Sequence, residues 1–73
     1  MLIEIKCGDL DLKPRVFYLD PKTVAGMEVW LATADVYSVG LYLGDKHFIE
    51  LCYKTEVEAN KARDKILEAA NAN

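Results

Sequence analysis

The chain has 73 residues, with nine Lys and Arg against twelve Asp and Glu, a net charge of −3, and a composition 52% hydrophobic and 29% charged. That balance fits one small globular domain and excludes a disordered chain; no apolar run approaches the roughly 18 residues of a membrane span. The bases are scattered among the acids, which argues against the clustered Lys and Arg on which phosphate binding depends, so nucleic acid is not an expected partner.

Met1, Ile3, Ile5 and Cys7 alternate with Glu4 and Lys6, which predicts a first strand ending at Gly8-Asp9. Its early acid, and the lack of a basic start or a small-residue cleavage site, read as strand and not as a secretion signal. Leu10-Asp11-Leu12 is expected to be a short extended piece. Arg15 to Leu19 is rich in β-formers and stops at the turn pair Asp20-Pro21, with Pro14 holding this second strand to a sheet edge.

Residues 23–35 can be read in two ways. Met27, Val29 and Leu31 alternate with Glu28, Trp30 and Ala32 as in a strand. Asp20 as N-cap, Pro21 at the first helical position, and Val24, Met27, Leu31 and Ala34 at helical spacing would instead give a helix. Gly26, Val29 and Trp30 favour a strand from Gly26 to Thr33, with a turn at Ala34-Asp35.

Tyr37, Val39, Leu41 and Leu43 then alternate with Ser38, Gly40, Tyr42 and Gly44, and after Gly44-Asp45-Lys46 a further strand puts Ile49, Leu51 and Tyr53 on one face. Parity sets the hairpin. If both strands bury their odd-numbered residues, facing numbers must sum to an even value, so the loop has an odd length. A three-residue loop from Gly44 to Lys46 pairs Leu43 with His47, Leu41 with Ile49, Val39 with Leu51 and Tyr37 with Tyr53. Thr55 and Glu58 form a capping box, and Ala59, Ala62, Ile66, Ala69 and Ala70 then make a helical stripe with Leu67 on its shoulder. Lys61, Asp64, Lys65 and Glu68 take the opposite side, and residues 71–73 are expected to fray.

The expected fold is α+β: one domain over residues 1–73, an antiparallel sheet of four to five strands in a meander, with one C-terminal helix packed on one face. In outline it resembles many small bacterial and phage proteins, without a motif that carries a family's function.

No catalytic, metal or cofactor site is expected. The single His, His47, reads as a solvated turn residue. Cys7 and Cys52 read as reduced thiols of a cytoplasmic protein, a disulfide being open to them only if their strands are neighbours. The aromatic residues carry the functional signal. Even-numbered positions put Trp30, Tyr42 and Phe48 on the face away from the helix, with Ala32, Gly40 and Cys52 among them. The expectation is a small non-enzymatic protein-interaction module, homodimeric or bound to a protein partner through this face. The same face would be core instead if the sheet curls, or if residues 10–19 fold over it. Two alternatives are a single-stranded nucleic-acid binder, which Glu28 and Glu50 on the platform disfavour, and a small acidic phage-type inhibitor of a host protein, acting by its helix face.

Overall fold

The computed structural model describes residues 1–44 and 46–72, so the middle residue of the Gly44-Asp45-Lys46 loop lies outside the described residues. The strands are β1 (Ile3–Gly8), β2 (Pro14–Leu19), β3 (Val24–Thr33), β4 (Val36–Leu43) and β5 (Phe48–Tyr53). They form one antiparallel sheet, and a helix, α1 (Glu56–Asn71), covers one of its faces. The strand order is β2-β1-β5-β4-β3. The meander is therefore β3-β4-β5, and the β1–β2 hairpin attaches to it through β1.

The register of β4 and β5 is the one that parity requires. Tyr37 faces Tyr53, Val39 faces Leu51, Leu41 faces Ile49 and Tyr42 faces Phe48; Leu43 N–H donates to the His47 carbonyl at 2.8 Å. Lys46, the third loop residue, has φ 68°, the left-handed position that closes a three-residue hairpin. A β-carbon pays for that conformation, so Lys46→Gly is expected to raise stability by about 0.5–1 kcal/mol, read as a higher urea midpoint.

The ambiguous stretch resolves as strand from Val24 to Thr33, two residues longer at the start than predicted. The cap features of the helical reading are real but local: Asp20 accepts from the Lys22 amide at 3.1 Å and closes a single 3₁₀ turn over Pro21–Thr23. The chain turns extended at Val24, and the β-formers that follow keep it so. Ala25 and Ala32 are extra residues where the register with β4 shifts, leaving Gly26 to Leu31 as the regular stretch.

Leu10-Asp11-Leu12 corrects the expectation of an extended piece. The Asp9 carboxylate accepts from the Asp11 and Lys13 amides at 2.8 and 3.0 Å, and its carbonyl accepts from the Leu12 amide at 2.8 Å. Leu12 sits at φ 61°. This Asp-centred turn replaces extended chain because the side chain satisfies backbone donors that a strand would otherwise have to pair.

The core lies between the sheet and α1. Ile5, Leu19, Val39, Leu41, Leu51 and Tyr53 meet Ala59 and Ile66 of the helix. As predicted, Thr55 caps α1, its hydroxyl accepting from the Glu58 amide at 3.2 Å. The return bond differs: the Glu58 carboxylate accepts from the Thr55 hydroxyl at 3.1 Å, not from the Thr55 amide. The helix runs on through Asn71, beyond the predicted point of fraying. Lys65 is not merely solvated, because its Nζ donates to the Glu4 carbonyl at 2.8 Å.

That bond belongs to a wider device. β1 meets β5 only at Gly8 and Cys52, then runs on past the end of β5. Its outward carbonyls at Glu4 and Lys6 accept from Lys65 Nζ and from Tyr53 Oη, the latter at 3.0 Å. Side chains thus close an edge that no strand covers, as sheets need. Burial pushes the Tyr53 phenol well above its ordinary range and keeps it a donor.

Candidate interaction face

Three rows of side chains cross the uncovered face of the meander. Glu28, Gly40 and Glu50 form one row; Trp30, Ser38 and Cys52 lie on one side of it, and Gly26, Tyr42 and Phe48 on the other. The aromatic residues therefore sit on a diagonal, and what joins them is Gly40. A β-carbon there would lie 2.6 Å from Trp30 Cζ3 and 2.8 Å from Phe48 Cε1. The missing side chain makes a slot through which the indole reaches across to the phenyl ring.

The rings then form a chain. Trp30 and Phe48 are stacked with centroids 6.3 Å apart and planes 26° apart. Tyr42 and Phe48 are tilted, with centroids 4.9 Å apart. Such pairs are worth roughly 0.5–1.5 kcal/mol beyond the area they bury. Tyr42 Oη donates to Glu28 Oε1 at 2.9 Å, and that bond pushes the phenol pKa up.

All three sequence-predicted residues are thus brought together. Tyr42 is 44% exposed and Phe48 46%, with Trp30 half-buried. Beneath them the face is closed: Ser38 and Cys52 are buried, with Oγ and Sγ 3.6 Å apart. The Asp9 turn approaches the face beside Cys52, where the Leu12 backbone packs over Gly8, the residue opposite Cys52. Between that turn and β5 lies an open groove of about 520 Å³, lined by Asp9, Asp11, Arg15, Phe17, Phe48 and Glu50. The Arg15 guanidinium lies over the Phe17 ring, 4.6 Å from its centroid.

The meander strands themselves carry charge of one sign, and Arg15 brings a base to the adjoining groove. The sequences of β3, β4 and β5 contain no Lys or Arg, while Glu28 and Glu50 stand on either side of Gly40. A stacking surface for single-stranded nucleic acid wants bases around it, and these strands supply none.

The cysteines illustrate parity again. Their strands are neighbours, but it is Gly8 that faces Cys52, so Cys7 points to the helix side and Cys52 to the aromatic side. Both are free thiols. Burial pushes both thiols up, away from a reactive thiolate. Among the described residues, no group of three or more His, Cys, Asp or Glu could hold a metal ion, and no helix is long and apolar enough to cross a membrane.

Sequence reasoning found the three rings but missed what organises them. The signal was a glycine in the middle of a strand pattern, a common mark of close approach by another group. Compared with protein-family models, with curated proteins and with solved structures, the chain matches none.

Proposed function

We propose that this protein is a small, non-enzymatic interaction module that binds a protein partner through the Trp30–Tyr42–Phe48 face, in the cytoplasm, where Cys7 and Cys52 stay reduced. One observation carries the reading. Two aromatic side chains nearly half exposed, and a third stacked beside them, are held in fixed geometry on the sheet face that the helix leaves open. Ordered aromatic residues of this kind dominate the energetics of protein interfaces, since they bury large areas at low entropic cost.

The charges narrow the partner. Glu28 and Glu50 flank the rings, so a complementary surface brings Arg or Lys, which can pair with a carboxylate and lie on an aromatic ring at once. Two copies stacked face to face would set these acids against strands that carry no base. The face therefore suits a different protein better than it suits itself.

The experiment is comparative capture. Immobilised wild-type protein and Phe48→Ala are exposed to extract from the native cells, and any protein held only by the wild type is purified and titrated by calorimetry. Phe48→Ala is expected to weaken binding at least tenfold, with Glu28→Gln and Glu50→Gln weakening it in a salt-dependent way. A partner that binds wild type and Phe48→Ala equally would move the site elsewhere.

A further inference from the structure

The sheet has two outer strands and one open inner edge, and they are not treated alike. β2 has six residues and begins with Pro14, which has no N–H to offer. The free stretch of β1 is closed by Tyr53 and Lys65. β3 has ten residues (Val-Ala-Gly-Met-Glu-Val-Trp-Leu-Ala-Thr), contains no Pro, Lys or Arg, and stands last in the sheet. Between its irregularities at Ala25 and Ala32, the stretch from Gly26 to Leu31 carries none of these blocking devices, and such an apolar edge is a template for another strand.

Hydrogen-bond parity shows which groups it presents. In an antiparallel ladder, residues that bond to one neighbour alternate with residues that bond to the other. Leu43 bonds to His47, so the odd residues of β4 turn to β5 and the even ones to β3. Ser38, Gly40 and Tyr42 therefore pair with Trp30, Glu28 and Gly26. Met27, Val29 and Leu31 are left with their N–H and C=O groups pointing outward. They fall in the regular stretch between the shifts at Ala25 and Ala32, and their side chains lie on the helix side, with Leu31 55% exposed.

We propose that a second copy of the chain pairs with β3, antiparallel, about a two-fold axis that passes beside Val29 normal to the sheet. In this register Val29 faces Val29 of the second copy and Met27 faces Leu31, so every outward residue of the regular stretch finds a partner. Glu28 lies across from Trp30. The stretch is close to palindromic about Val29, with Met and Leu at equal distances, which is what an isologous contact needs. Shifting the register one way sets Glu28 against Glu28, a repulsive cross-strand pair. Shifting it the other way runs Met27 past the irregularity at Ala32. The pairing joins two five-stranded sheets into one, with both helices on one side and both aromatic diagonals on the other. It rests on the edge alone and is independent of what binds the aromatic face.

The test is sedimentation equilibrium from micromolar to millimolar protein, on wild type, Leu31→Pro, Leu31→Lys and Phe48→Ala. Leu31→Pro removes an N–H that no strand of the same chain uses, and Leu31→Lys places a gatekeeper charge on the edge. Wild type and Phe48→Ala are expected to double in mass with concentration, while both Leu31 variants stay at one chain and retain cooperative unfolding. Should a Leu31 variant fail to fold, hydrogen exchange on the wild type decides: the Val29 and Leu31 amides are expected to slow as concentration rises. A wild-type monomer at every concentration would overturn the proposal. A dimer that survives both Leu31 substitutions, or one that Phe48→Ala dissociates, would do the same. Loss of partner capture in Phe48→Ala with the dimer intact separates this surface from the aromatic one.

Discussion

Ile66→Asp is expected to abolish cooperative folding. Ile66 is fully buried where α1 meets Leu41 and Leu51 in the core. A chain of 73 residues has roughly 4–11 kcal/mol of stability in all. Truncation at such a site costs about 2–5 kcal/mol, and an unpaired carboxylate with no hydrogen-bond partner adds several more. The sum reaches the whole stability of the domain. Leu67→Asp, one residue further on and 48% exposed, is the control and should stay within about 1 kcal/mol of wild type. Far-UV circular dichroism with urea titration reads both. A folded Ile66→Asp protein would mean that α1 does not dock on this stripe.

Gly40→Ala is expected to leave the fold standing and to dismantle the aromatic face. The new methyl group would meet the outer atoms of Trp30 and Phe48 at 2.6 and 2.8 Å, so both rings must swing away. Overpacking of this kind costs about 1–3 kcal/mol, less than the domain holds. The specific readout is Trp30 itself, the one tryptophan in the chain. Its emission should shift to the red as the ring leaves its stack, and partner binding should fall with it. Unchanged emission and unchanged stability would show that the slot does not organise the rings.

Much of this architecture is legible in the sequence because two periodicities state it openly. Alternation from Tyr37 to Tyr53 gives the hairpin, and parity alone gives its register, since a slip of one residue would carry Glu50 to the core side. Thr55 and Glu58 mark the helix start through local chemistry. What stays hidden depends on contacts distant in sequence. Nothing local says that β1 joins β5, because the pairing rests on one residue pair, Gly8 with Cys52, plus one side-chain bond from Tyr53, while Lys65 ties β1 to the helix. The Leu10–Leu12 turn was masked by an apolar alternation that the Asp9 carboxylate overrides. Asp20-Pro21 carried a valid helix-start signal, but β-propensity in the following residues halted it after one turn. At the aromatic face, the residue types were visible and the slot at Gly40 was not, because its meaning depends on where the Trp30 ring travels.

Urea unfolding of Phe48→Ser beside Leu51→Ser decides whether the Trp30–Tyr42–Phe48 face is surface or a second core. The two residues belong to the same strand and point to opposite faces. Leu51, with no exposed surface, is expected to cost about 3–5 kcal/mol on replacement, from lost burial and an inserted hydroxyl. Phe48, already 46% exposed, is expected to cost no more than about 2 kcal/mol, with a single cooperative transition of unchanged slope. Equal losses in the two variants, or a broadened transition in Phe48→Ser, would make the aromatic face an interior one.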